Sequence, residues 1–372
     1  MYLVAGSNLF GQWFCNDPIV SGFQDVNISE KITQKHDLAE VKISHLGWSY
    51  NILQTGNDFY LSGCWQGKEN QLVKIDLPED CKVLLDSSLT IVGNDYNLIL
   101  VDKKKFSVWV INLEDENSVK KLSINVDTPL KRTSDSKRKR LEDHIIKVVA
   151  TNNSCLYLTA EGSVYSGLLP SHLDTSHCEG KVCDIDCGYE HFILLTDAGK
   201  VYTWGNGRRL QLGHGDLSNF DLPTEVEALS GIKVAKVSAG GWHSLVLSEY
   251  GDVYAWGWND TGQLGIKSEP DNPAGVLKTE GLKSYPLPTV VDFFDSNDKE
   301  VNLDVKDIAC GSRHSTIILE DNSVWSSGCN KYGQLGFPAE LLPTVNYFKK
   351  TFQCTSSSKL KCGLWSTILM KT

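Results

Sequence analysis

The sequence predicts an all-β fold: a seven-bladed β-propeller closed by pairing of N- and C-terminal half-repeats. Two observations lead there. First, the stretch 237–265, VSAGGWHSLVLSEYGDVYAWGWNDTGQLG, recurs in weaker copies before and after itself. It holds Gly240, then His243, alternating Leu245 and Leu247, a turn at Gly251, a second run through Val253, Tyr254 and Trp256, and a Gly-Gln-Leu-Gly close. Two runs of period two around a tight turn read as a β-hairpin. A lone hairpin is marginal in water, so the copies must stack to bury both faces. Second, the ends of the chain hold complementary halves of one copy. Gly363, Ser366, Ile368 and Met370 form a first half, and Tyr2-Leu3-Val4-Ala5-Gly6-Ser7-Asn8 with Gly11-Gln12 matches the second half at 254–263. An open solenoid has no use for split halves, whereas a ring gains a pairing that removes two exposed sheet edges.

Taken in order and aligned on the anchor glycine, the first full copy has Gly47, Tyr50 in the histidine place, Ile52, Leu53 and the run 59–63. The second has Gly93, Tyr96 in the histidine place, Leu98, Leu100, Asp102 in the turn, Phe106 and Trp109. In the third, Thr151 replaces the glycine and Ser154 the histidine. The fourth is Gly188, His191, Ile193, Leu195, Gly199, Val201, Tyr202 and Trp204, closing at Leu210-Gln211-Leu212-Gly213. The fifth is the stretch at Gly240 and His243; the sixth runs from Gly311 and His314 to Gly333-Gln334-Leu335-Gly336; the seventh is split between the termini. One domain over 1–372 is expected, with loop insertions at about 112–144 and 266–303 and a shorter one at 65–86. The second half of the 266–303 insertion is apolar enough to return as the outer strand of the fifth blade, and its first half is a candidate partner contact.

Composition narrows the function. The chain has 372 residues, 41% of them hydrophobic and 22% charged, with a net charge of −10. That field disfavours wholesale wrapping of nucleic acid, so no direct sequence-specific nucleic-acid binding is expected. No apolar run approaches eighteen residues and the N-terminus has no basic leader, so no membrane role and no secretion are expected. Eleven cysteines without a CxxC pair fit reduced thiols.

The run 237–245 with its WG-x-N-x-x-GQLG close resembles the signature of the regulator of chromosome condensation repeat family. The resemblance implies seven blades and a terminal exchange. More narrowly, 47–50, 239–263 and 310–336 are similar to small animal members of that family. That resemblance implies a nuclear adaptor pairing with a jumonji-C oxygenase and linked to histone methylation state, chromatin regulation and chromosome segregation. The founding member of the family implies the alternative, guanine-nucleotide exchange on a Ran-like small GTPase. Two expectations speak against exchange: no wedge-like hairpin is identifiable, and with the chain entering a blade at Tyr2 no chromatin-binding basic tail is expected.

No catalytic residue and no cofactor are expected. His191, His243 and His314 hold one repeat position, so a ring spreads them around its axis; with Gly188, Gly240 and Gly311 they are read as structural, the imidazoles bonding backbone between strands. His172, His177, Cys178, Cys183 and Cys187 cluster in sequence but match no common zinc spacing, so no metal is expected. Gly205-Asn206-Gly207 and the GQLG closes lack the phosphate-loop patterns and read as turns. Lys131, Arg132, Lys137, Arg138, Lys139 and Arg140, with only Asp135 against them, make a local charge of +5 within ten residues. Such a run suits a nuclear-import receptor, and phosphorylation of Thr133, Ser134 or Ser136 would cancel part of it. Trp242, Trp258, Arg313 and Tyr332 lie at blade loops, where Glu190 and Arg208 stand in another copy. The repeat does not demand them, and Trp and Arg are enriched at interface hot spots, so they are the expected partner-binding residues. Trp48 also sits beside a blade turn.

Overall fold

The computed structural model describes residues 2–26, 28, 32, 41–79, 89–113, 119–124, 143–152, 154–267 and 283–371. Within them the chain is all-β. The strands are β1 (Tyr2–Ser7), β2 (Ile19–Val26), β3 (Val41–Leu46), β4 (Tyr50–Thr55), β5 (Asp58–Trp65), β6 (Lys68–Lys74), β7 (Leu89–Gly93), β8 (Asn97–Asp102), β9 (Ser107–Asn112) and β10 (Val119–Ser123). They continue with β11 (Ile145–Ala150), β12 (Cys155–Thr159), β13 (Val164–Ser166), β14 (Ser171–Leu173), β15 (Val182–Cys187), β16 (His191–Thr196), β17 (Val201–Gly205), β18 (Phe220–Glu225) and β19 (Val234–Ala239). The last nine are β20 (His243–Ser248), β21 (Val253–Trp258), β22 (Ser284–Val290), β23 (Val305–Cys310), β24 (His314–Leu319), β25 (Ser323–Cys329), β26 (Thr344–Gln353), β27 (Ser358–Cys362) and β28 (Ser366–Lys371).

These strands form seven four-stranded sheets: six in meander order, β3 to β6 through β23 to β26, and one ordered β2-β1-β28-β27. That is a seven-bladed propeller, with one blade assembled from both ends of the chain as the sequence predicts. In the shared blade Val4 faces Ile368 and Gly6 faces Ser366. Gly257 faces His243 in the same way in the fifth blade.

Two compact units divide the chain: Met1–Asn8 with Asp17–Val26 and Asp186–Thr372, and Leu9–Asn16 with Asn27–Ile185. In the second unit, Tyr50, Ile52, Phe59, Leu61, Ile91, Leu98, Leu100 and Trp109 make one buried cluster. In the first, Leu245, Leu247, Val253, Ile308, Ile317, Trp325 and Phe348 make another. Alternation along each strand supplies these clusters, because successive side chains leave opposite faces and adjoining blades bury both.

The anchor of each copy is a backbone hydrogen bond. The amide of Gly240 donates to the carbonyl of His243 at 2.8 Å, and Gly188 to His191, Gly311 to His314, Gly47 to Tyr50 and Gly363 to Ser366 do the same at 2.9 Å. Thr151 donates to Ser154 at 2.8 Å, so the degenerate copy keeps the link. Glycine is required by space. A Cβ on Gly240 would overlap Cε1 of His243 and come within 2.7 Å of the Gly311 carbonyl. Thr151 is accommodated because Ser154 carries no ring.

The second copy departs from the expected alignment by one residue. The linking amide is that of Asn94, which donates to Asn97 at 3.0 Å, so Asn97 and not Tyr96 holds the histidine place. Asn94 Oδ1 accepts from the amides of Tyr96 at 2.9 Å and Asn97 at 2.8 Å. This side chain shapes the turn, and Tyr96 points outward, 58% exposed. Gly93 pairs with Leu98, as Ala239 pairs with Ser244 in the fifth blade.

The outer strands carry no motif. β6 lies inside the segment 65–86 expected as an insertion, and β10 inside 112–144; each is the edge strand of its blade. β22 pairs with β21, as expected for the second half of the 266–303 insertion. The first half of that insertion, from 268 to 282, lies outside the described residues, as do the six basic residues 131, 132 and 137–140.

Candidate protein-binding face

The loops between first and second strands, and those after third strands, gather at one end of the blades in the larger unit. A belt of backbone bonds holds the first set. The amide of Tyr189 donates to Gly241 at 3.1 Å, Gly241 to Ser312 at 3.0 Å, and Ser312 to Leu364 at 2.9 Å. Each GQLG glutamine holds the second set: its Oε1 accepts from the amide two residues earlier, Arg209 for Gln211 at 2.8 Å, Thr261 for Gln263 at 3.0 Å and Tyr332 for Gln334 at 2.9 Å. The GQLG closes are therefore turns.

The histidines lie beneath this end. His191, His243 and His314 are fully buried. Nε2 of His243 meets Ser315 Oγ at 2.9 Å, and that hydroxyl donates to the Gln263 carbonyl at 2.6 Å. His191 meets Ser244 at 3.0 Å, which donates to Gln211 at 3.1 Å; His314 meets Thr367 at 3.1 Å, which donates to Gln334 at 2.7 Å. The expected bond from imidazole to backbone is thus relayed by a hydroxyl of the next blade. Because that hydroxyl spends its hydrogen on a carbonyl, Nε2 must carry the ring proton. Burial pushes all three imidazoles down to about 3, with His191 and His314 adding to the effect at His243. Neutral, sealed rings tie blade to blade.

Above the belt the four expected partner-binding residues fall into three groups. Trp242 and Trp258 hold the guanidinium of Arg209 between them, its carbon 4.9 and 4.8 Å from the two ring centroids. Tyr189 stands edge-on to Trp242 at 5.4 Å and its hydroxyl bonds Ser312 Oγ. Arg313 pairs with Asp260. Tyr332 stands edge-on to Trp365 at 5.3 Å, with Lys331 Nζ 5.2 Å from its ring. All four are half-buried. Trp48, in the other unit, stands edge-on to Phe10 at 5.7 Å.

The sequence reading missed Arg209, Tyr189, Asp260 and Trp365. Arg209, not Arg208, is the counterpart of Tyr332, since both donate to the glutamine two residues on; counting back from that glutamine would have found it. Among the described residues no group of three His, Cys, Asp or Glu side chains is placed to hold a metal ion. His172 instead stands edge-on to Tyr165 at 5.6 Å.

Comparison with known proteins agrees with this architecture. The regulator of chromosome condensation (RCC1) repeat matches at 198–247 and 250–318, and a second description of the same repeat at 182–211, 234–263 and 305–334. The mouse protein "RCC1 domain-containing protein 1" is 39% identical over 216 residues, 51% of this chain and 55% of that protein. Its human namesake is 33% identical over 235 residues, 57% of this chain and 60% of that protein. The matches thus span a little over half the length of those relatives. Among solved structures, yeast RCC1 (Prp20) bound to Kap60 covers 100% of this chain at TM-score 0.71 and 16% identity. Prp20p of Saccharomyces cerevisiae, solved together with a study of its binding properties to Gsp1p and histones, covers 100% of this chain and 91% of its own at TM-score 0.70 and 16% identity. Identity that low speaks to the fold alone. Repeat matches, blade register and propeller topology converge: the chain carries RCC1 repeats and folds as a seven-bladed β-propeller.

Proposed function

We propose that this propeller is a non-enzymatic adaptor that holds a protein partner on the loop face bearing Trp242, Trp258, Arg313 and Tyr332. The observation that carries the reading is the aromatic and arginine cluster itself. The repeat needs its glycines, histidines and glutamines for the links described above, but none of those links uses the side chains of Trp242, Trp258 or Arg313. Large rings and guanidinium groups at blade loops fit the residue types of binding hot spots. The resemblance of 47–50, 239–263 and 310–336 to the small animal members of the family implies a jumonji-C oxygenase as partner and chromatin regulation and chromosome segregation as its setting. The basic run at 131–140 fits capture by an import receptor and nuclear localisation.

Trp242→Ala or Arg313→Ala is expected to weaken capture of the jumonji-C partner by about ten-fold, since a hot-spot truncation costs roughly 1–2 kcal/mol or more. Calorimetry on variants that melt like the wild type checks this; unchanged affinity in both would remove this face as the interface. A second reading, nucleotide exchange on a Ran-like GTPase, comes from the resemblance of the 237–265 repeat to the founding member of the family. Release of fluorescent GDP from such a GTPase, accelerated by orders of magnitude at catalytic amounts of the propeller, would replace the adaptor reading with that one.

A further inference from the structure

We infer that the Trp242–Arg209–Trp258 stack is a preformed receptor for a side-chain carboxylate, so that the partner segment docking here is acidic, with an apolar residue beside its Asp or Glu. The inference rests on the reading of this loop face as a protein-binding surface.

The argument begins with Arg209. Its guanidinium is flanked by two indole faces at 4.9 and 4.8 Å, and its own amide is fixed by Gln211 at 2.8 Å. A guanidinium carbon lying over two indole rings is held by cation–π attraction, which uses none of its N–H donors and leaves them for a carboxylate. Among the described residues no carboxylate forms an ion pair with Arg209, whereas Arg313 in the next blade has Asp260. A stacked arginine has already lost much of the rotamer freedom that binding would otherwise remove, so its ligand gains from pre-organisation.

The surroundings choose the ligand. Arg208 is exposed beside it and Lys331 lies on the same face, so this end of the unit is locally cationic in a chain of net charge −10. Two carboxylates temper that charge: Glu190, held by Asn206 Nδ2 at 2.8 Å, and Asp260 on Arg313. Such a mixed field favours a monoanion flanked by apolar surface over a dianionic phosphate. The rims of Trp242, Trp258 and Tyr189 offer that apolar surface.

The test uses the full chain and three synthetic twelve-residue peptides: one alternating Glu with Leu and Phe, its Gln counterpart, and one with phosphoserine in place of Glu. Binding is read by calorimetry and by tryptophan emission at low and moderate salt. The Glu peptide is expected to bind, more weakly as salt rises, and to lose about ten-fold or more in Arg209→Gln. Arg209→Lys is expected to restore only part of it, since lysine keeps the charge and loses the fork. Equal binding of the Glu and Gln peptides, or no effect of Arg209→Gln, would overturn the assignment. So would tighter, Arg209-dependent binding of the phosphoserine peptide, or Arg209-dependent self-association of the chain by light scattering. If Trp242→Ala loses the protein partner while Arg209→Gln keeps it, the face is the interface but its anchor is not a carboxylate receptor; if both keep it, the face itself is excluded.

Discussion

At the scale of single residues, the repeat signature is a packing constraint written in two letters. Gly240 is glycine because the His243 ring occupies the volume a Cβ would fill, and the third blade, with Thr151 and Ser154, shows both letters changing together. Overpacking of this kind typically costs about 1–3 kcal/mol. Gly240→Ala is therefore expected to lower the urea midpoint by an amount in that range. The same change made on top of His243→Ser should cost at least about 1 kcal/mol less, because the ring is gone and only the Gly311 carbonyl remains in the way. Equal penalties in both backgrounds would remove the ring as the cause. A similar argument applies to Asn94, whose amide oxygen holds two backbone amides and whose nitrogen donates to the Thr151 carbonyl at 3.2 Å. Leaving buried groups unpaired costs about 1–3 kcal/mol, so Asn94→Ala is expected to fall there in denaturant titration.

At the scale of the element, β1 is the inserted middle of its blade, paired on one side with β28 and on the other with β2. Leu3, Val4 and Ala5 are buried in it. Removing residues 2–7 takes away both ladders and exposes their two partner strands. The melting temperature is expected to fall by about 10 °C or more, since each kcal/mol moves a large domain by a few degrees. An unchanged melting curve would mean the terminal pairing contributes nothing. This pairing was legible in the sequence because both halves keep the spacing of a full copy. Blade count and hairpins were legible for the same reason: glycine recurs where the histidine ring fills the space of a Cβ, and glutamine recurs where its side chain accepts from the amide two residues earlier. The outer strands β6 and β10 were not legible, since they are exposed edges whose residues answer to one neighbour only. The second copy slipped by one residue because Asn94 performs with its side chain what glycine permits elsewhere, and the adjacent Gly93 offered a false anchor. In the site, Trp242, Trp258, Arg313 and Tyr332 stood out as departures from the repeat. Arg209 did not, because its role comes from two rings contributed by the next blade, which no spacing along one copy reports.

At the scale of the whole molecule, three sealed imidazoles make the fold sensitive to acid. His191, His243 and His314 are held near 3 by burial, against about 6.5 in an unfolded chain. Between those values the unfolded chain binds protons that the folded one refuses, so stability is full above about 6.5 and is lost as pH falls toward 3. Each ring contributes roughly 1.4 kcal/mol per pH unit inside that window, and three together about 4 kcal/mol per unit, against a total stability on the order of 5–15 kcal/mol. Overall charge works in the opposite direction: the net −10 relaxes as pH approaches the isoelectric point of about 5.4, which by itself would favour the compact state. Asp321, held low although burial opposes it, by the hydroxyl and amide of Ser323, adds its own loss only below the ordinary carboxylate range. Urea midpoints measured from pH 7 to 4.5 are therefore expected to drop steeply below 6.5. In His243→Gln the slope should be about one third smaller, whatever that change does to stability at pH 7. A flat profile across this window, or an identical slope in the variant, would show that the buried rings do not control the acid response.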